Sequence, residues 1–139
     1  MLKKTITYTD YNGETRSEDF YFNLSKAEIM EMEMSINGGM SELMKKVAAT
    51  QDSPTLIKIF KDLILDAYGE KSVDGKRFIK TDDNGRRLSD KFKETEAYSV
   101  LFMELAFDAE KAAEFMNGII PSDLAQQVKE VDTSNLLVK

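Results

Sequence analysis

Hydrophobic and polar positions divide this chain into a short alternating part and a long helical part. From Leu2 to Thr9 the period is two: Leu2, Lys4, Ile6 and Tyr8 share one side, and Lys3, Thr5, Thr7 and Thr9 the other. That alternation predicts a strand. Asn12-Gly13 follows, where both positions tolerate φ > 0 in a type I′ turn, so a hairpin is expected, with a return strand over Thr15 to Asn23 that carries Phe20-Tyr21-Phe22. The period then becomes helical. Ser25-Lys26-Ala27-Glu28 is a capping box, in which the hydroxyl accepts from an early helix N–H and the glutamate reaches back. It predicts a helix from Lys26 to about Ile36, with Ile29, Met32 and Ile36 inward and Asn37-Gly38-Gly39 as its stop.

A second helix is expected from Ser41 to about Thr50, with Leu43, Met44, Val47 and Ala48. Asp52-Ser53-Pro54 is the next start signal, because serine caps and proline suits the first helical position. The helix predicted over Pro54 to Tyr68 has the cleanest period in the chain. Leu56, Ile57, Phe60, Leu63, Ile64 and Ala67 form its stripe, Lys58, Lys61 and Asp62 its solvated face, and Gly69 its end. Residues 70–88 carry two turn signals, Asp74-Gly75 and Asp83-Asn84-Gly85, around a short strand or arm, Lys76 to Lys80. Ser89 is a plausible N-cap for a short helix that carries Phe92.

Glu94 to Ile120 is the longest helical stretch. Tyr98, Leu101, Phe102 and Leu105 share a face, while Val100, Met103, Ala106 and Phe107 put apolar groups on much of the rest. A helix apolar on most sides belongs in a core or against a partner. Asp108 starts a second segment with Ala109, Ala112, Ala113, Phe115 and Met116; Gly118 sits where a C-cap belongs, and Pro121 blocks further helix. The expected fold is α+β, mainly α: an N-terminal β-hairpin packed on a bundle of five to six helices. It reads as one domain over 1–130 (hairpin 2–24, helical part 25–130) with a flexible C-terminal tail, 131–139. The two most apolar helices, Pro54–Tyr68 and Ala97–Phe107, are expected to pack together.

Composition narrows the chemistry. A net charge of −6 disfavours a general nucleic-acid binder, which needs a basic face. With no cysteine there is no disulfide and no thiolate metal site, and with no histidine the commonest general base and metal ligand are both missing. No signal peptide and no membrane span is read. Asp82-Asp83-Asn84-Gly85 resembles a calcium loop, but the alternating ligands are wrong and the twelfth residue is Lys93. No phosphate loop is present. No catalytic residue, cofactor or metal is therefore expected. Methionines cluster at Met30, Met32, Met34, Met40 and Met44, which suits either core filling or a surface that accepts varied partners.

Several stretches, in order, resemble tail assembly chaperones of long-tailed, siphovirus-type phages or prophages of Gram-positive bacteria. They are Lys3 to Glu14, Asp19 to Glu28, Tyr68 to Ser72, Gly75 to Lys80, Thr95 to Leu105 and Phe115 to Pro121. The resemblance implies a non-enzymatic protein that binds the tape measure protein and helps recruit tail tube (major tail) protein subunits before the tail polymerises. It implies work in the host cytoplasm and absence from the mature virion. Many members are made as a short and a frameshifted longer product, and this chain, ending shortly after Pro121, looks like the short one. The alternative is a structural virion protein such as a head–tail connector component.

Site residues are assigned on physical grounds. Met30, Met34, Met40 and Met44 offer flexible thioethers to a partner, while Arg77 and Phe78 offer a cation and an aromatic ring from the arm between two glycine turns. A homo-oligomer is expected from the apolar residues that one small core cannot absorb. Neither nucleic acid nor membrane is expected as a partner.

Overall fold

The alternation at the N-terminus sorts cleanly by depth. In the computed structural model, which describes residues 1–35 and 53–121, Ile6 is buried and Leu2, Lys4 and Tyr8 are half-buried, while Lys3, Thr5, Thr7 and Thr9 face solvent. This strand, β1 (Leu2–Thr9), pairs antiparallel with β2 (Thr15–Phe22) from Leu2↔Phe22 to Thr9↔Thr15. The elements that follow are α1 (Lys26–Ser35), α2 (Ser53–Ala67), β3 (Tyr68–Lys71), β4 (Phe78–Ile79), α3 (Leu88–Phe92), α4 (Glu96–Phe107) and α5 (Ala109–Ile119). The helix expected over Ser41 to Thr50 and the tail 131–139 lie outside the described residues.

The expected helical bundle with an attached hairpin is not what forms. The hairpin is half of a four-stranded antiparallel sheet in the order β1-β2-β3-β4, and helices pack on it. The difference arises where α2 ends. Tyr68 does not extend the helix; it turns directly into β3 and pairs with Phe22, while Gly69 pairs with Tyr21. Strands of four and two residues contain too little alternation to show a period. Gly69 is buried inside β3 and is not a helix stop: a Cβ there would stand 2.5 Å from Phe78 Cε2 and 2.7 Å from the Ile79 carbonyl oxygen.

The hairpin turn also differs from expectation. Within this turn only Gly13 takes positive φ, at 82°, and Asn12 does not, so the turn is not type I′. Gly13 N–H donates to Asp10 O, and Asp10 N–H donates to Glu14 O. The Asp10 carboxylate accepts from the N–H groups of Asn12 and Glu14. Asp82-Asp83-Asn84-Gly85 repeats the device: Gly85 has φ 79°, and Asp82 accepts from the N–H groups of Asn84 and Arg86. In both turns the leading aspartate ties two backbone donors, which is why the Asp-x-Asn-Gly pattern is found twice.

Capping sets the helix ends. The Ser25–Glu28 box forms as expected, with Glu28 N–H donating to Ser25 Oγ at 3.1 Å and Ser25 N–H to Glu28 Oε1 at 2.9 Å. Ser89 does not cap α3: Arg87 holds that position without a side-chain bond, and Ser89 is buried within the helix. Thr95 caps α4, its Oγ1 accepting from Tyr98 N–H. Asp108 separates α4 from α5 and caps the latter by accepting from Lys111 N–H. Gly118 lies inside α5, not at its C-cap. Its missing side chain admits Leu2 of β1, whose Cδ1 would be 2.9 Å from an added Cβ.

One face of the sheet is covered. Leu101 and Leu105 of α4, Phe115 and Ile119 of α5, and Leu63 and Ile64 of α2 form the core with Ile6 and Phe22. As expected, α2 packs against α4; α4 also lies across β1 and beside α5. Leu24 N–H donates to Ile119 O and Asn23 N–H to Ala67 O, which clips the end of β2 to the ends of two helices. The other face of β1 and β2 carries Thr5, Thr7, Ser17 and Asp19, hydrogen-bonded in pairs in solvent.

Two substitutions test this packing. Leu101→Ala, at a position with no exposure, is expected to destabilise by about 2–5 kcal/mol. Gly69→Ala is expected to cost about 1–3 kcal/mol, because backbone as well as a ring must move. Urea unfolding reads both, and an unchanged midpoint for either removes the corresponding contact from the account.

Candidate partner-binding surface

α4 is apolar on nearly every side, yet it is buried on only one. Ala97, Leu101 and Leu105 face the core with at most 2% exposure. Val100, Met103 and Phe107 lie on the far side at helical spacing and are 41%, 52% and 80% exposed. Tyr98 and Phe102 are half-buried between these sides and turn toward α2. There Ile57, on the expected core stripe of α2, is instead 48% exposed. A shallow groove of about 270 Å³ runs between the two helices, with Ile57, Tyr98, Phe102 and Met103 as its apolar lining and Lys61 and Lys93 at its edge. Burial, and then the nearby Asp62 carboxylate, pushes the Tyr98 phenol up.

A second depression, lined by Leu24, Glu28, Glu31, Asp66, Lys80 and Arg87 among others, has a different character. Most of its charges are already spent on one another. Lys80 Nζ donates to Glu28 Oε2 at 2.5 Å, Asn23 O at 2.7 Å and Asp66 O at 2.8 Å. Arg87 donates to Leu65 O and Asp66 Oδ1. Burial alone would push the Glu28 carboxyl up; the Lys80 ammonium and the Ser25 donors outweigh it and hold Glu28 below the ordinary glutamate value. This cluster joins β4 to the first turn of α1 and the last turn of α2. It is a clasp, not a ligand site.

The residues assigned from sequence are scattered. Met30 is 61% exposed on α1. Met34 lies on the same helix; its side chain, like Met40 and Met44 entirely, is outside what the structure describes. Arg77 is exposed beside the turn that joins β3 to β4. Phe78 is half-buried, its ring lying against Gly69, and Lys80 is the hub of the clasp, so the arm is part of the sheet. Only Met30 and Arg77 stand free on the described surface. The surface that sequence reasoning missed as a site is that of Ile57, Val100, Met103 and Phe107. Its signal was present in the all-round apolarity of α4.

The chain matches a family described as phage tail assembly chaperone over residues 1–136. It belongs to that family. No curated protein and no solved structure matches it. A chaperone of tail assembly acts on tail proteins, and its family is not one of enzymes. Among the described residues of this chaperone no group of three or more acidic residues is placed to hold a metal ion, and no described helix is long and apolar enough to cross a membrane.

The clasp makes the chaperone's stability depend on pH in a specific direction. Because the folded value of Glu28 is lowered, its contribution is complete above the unfolded value and is lost as pH falls through the folded one. Lys80→Met removes the ammonium and leaves only the Ser25 donors against burial, so Glu28 rises relative to the parent. Acid unfolding of that variant, followed by circular dichroism, is expected to set in at a higher pH than in the parent. An unchanged acid midpoint would mean the pair contributes nothing.

Proposed function

We propose that this chaperone binds the tape measure protein and helps bring tail tube subunits to it before the tail polymerises. The observation that supports the reading is the row Val100, Met103 and Phe107, an exposed apolar edge on a helix whose opposite side is locked in the core. A long helical protein awaiting assembly exposes apolar stripes, and an edge of this kind can cover one by helix-to-helix packing. Exposed apolar residues in a row mark interaction surfaces more often than isolated ones do. Met30, with Met34, Met40 and Met44, and Arg77 with Phe78 are proposed as additional contacts. In this reading the protein works in the host cytoplasm and leaves before the virion matures. A longer frameshifted product belongs to the same reading and is tested on the coding DNA, where a slippery site followed by an overlapping frame is expected.

Co-expression with the tape measure protein tests the central step. The parent is expected to co-purify with it, and Val100→Ser with Phe107→Ser to reduce recovery several-fold while unfolding free energy changes by less than about 0.5 kcal/mol per site. No co-purification of the parent would overturn the reading. Proteomics of purified virions supplies a second arm: stoichiometric copies there would favour the structural alternative.

A further inference from the structure

We propose that the groove between α2 and α4 seats an amphipathic helix of another protein, one with apolar residues along a single face and carboxylates on its flanks. The groove has the shape for a third helix, since two neighbouring helices form its walls and side-chain ridges of a third can lie between them. Its lining supplies four apolar anchors: Ile57 and Met103 are about half exposed, and Tyr98 and Phe102 are partly exposed. Met103 adds an adaptable thioether at the edge.

Charge at the groove runs against the net charge of the chain. The protein as a whole carries −6, and several of its described cations are ion-paired: Lys4 and Lys111 with Glu104, Arg16 with Asp10, Lys80 with Glu28 and Arg87 with Asp66. Lys61 and Lys93 are exposed and have no ion-pair partner among the described residues. One lies on α2 and the other just before α4, so they flank the apolar lining from two elements. The residues that line the groove include these two cations and no carboxylate; Asp62, next to Lys61, and Glu94, next to Lys93, lie outside the lining. An acidic-flanked helix meets those cations; a basic-flanked one meets like charge. A second copy of this chain carries its own −6 into the encounter, and long-range repulsion opposes it.

This proposal rests on the reading of the protein as a binder of helical tail proteins, but its test does not need the tail protein. The probe is a fluorescent designed amphipathic peptide of about five helical turns, made once with glutamate flanks and once with lysine flanks. Anisotropy titration is expected to show the glutamate form binding about tenfold tighter, with the difference shrinking as salt is raised. Lys61→Glu with Lys93→Glu is expected to reverse the preference, and Met103→Glu to weaken both peptides while the melting curve stays in place. Equal binding of the two peptides, or no binding, overturns the proposal. So does a dimer of the parent in sedimentation that Met103→Glu dissolves, because a second copy would then own the groove. Tape measure protein that still co-purifies with Met103→Glu overturns this site and leaves the functional reading standing.

Discussion

The aromatic cluster around Phe92 holds the layers of this fold together. Its ring stacks on Tyr68 at 4.3 Å and meets Phe20, Phe22 and Tyr98 at 5.2 to 5.9 Å. Those four partners come from β2, β3 and α4, so a helix of five residues joins the middle of the sheet to the helical layer. Phe22 extends the cluster to Phe115 of α5 at 5.3 Å. Edge-to-face and offset ring pairs add about 0.5–1.5 kcal/mol each beyond their buried area. With several such pairs at one point, the relative placement of sheet and helices is set by side chains that sit far apart in sequence.

That placement decides what α4 has left to offer. Its core side is committed to β1, α2 and α5, and Glu104 on one flank pairs with Lys4 and Lys111. Val100, Met103 and Phe107 are therefore held outward by the rest of the structure. Rigid presentation matters for binding, because ordering a surface on contact subtracts from affinity. The helix that looks most like a core helix in the sequence is thus half core and half surface.

Much of this was legible in the residues. The Ser25–Glu28 box, the alternation of β1, the stripe from Phe60 to Ala67 and the pairing of α2 with α4 each rest on local patterns that the structure keeps. What was not legible is non-local. β3 exists because Tyr68 meets Phe22 across more than forty residues, a pairing that no short window contains, whereas β4 falls within the short strand or arm expected over Lys76 to Lys80. Gly69 and Gly118 look like helix stops but make room for Phe78 and Leu2. Lys80 looks like a solvated arm cation but closes on three acceptors from three segments. The site was half legible: the apolarity of α4 announced a face in excess, but which side stayed free depended on how the helix docks on β1, α2 and α5.

Family membership says that this protein serves tail assembly, and the free side of α4 is the place proposed for it. The most direct measurement is site-specific photo-crosslinking during co-expression with the tape measure protein. A photo-reactive residue is placed at Met103 in one variant and, in another, at Thr7, on the uncovered face of the sheet. The account predicts a crosslink to the tape measure protein from position 103 and none from position 7. A crosslink from position 7 alone, or a complex that forms without crosslinking from position 103, would contradict it.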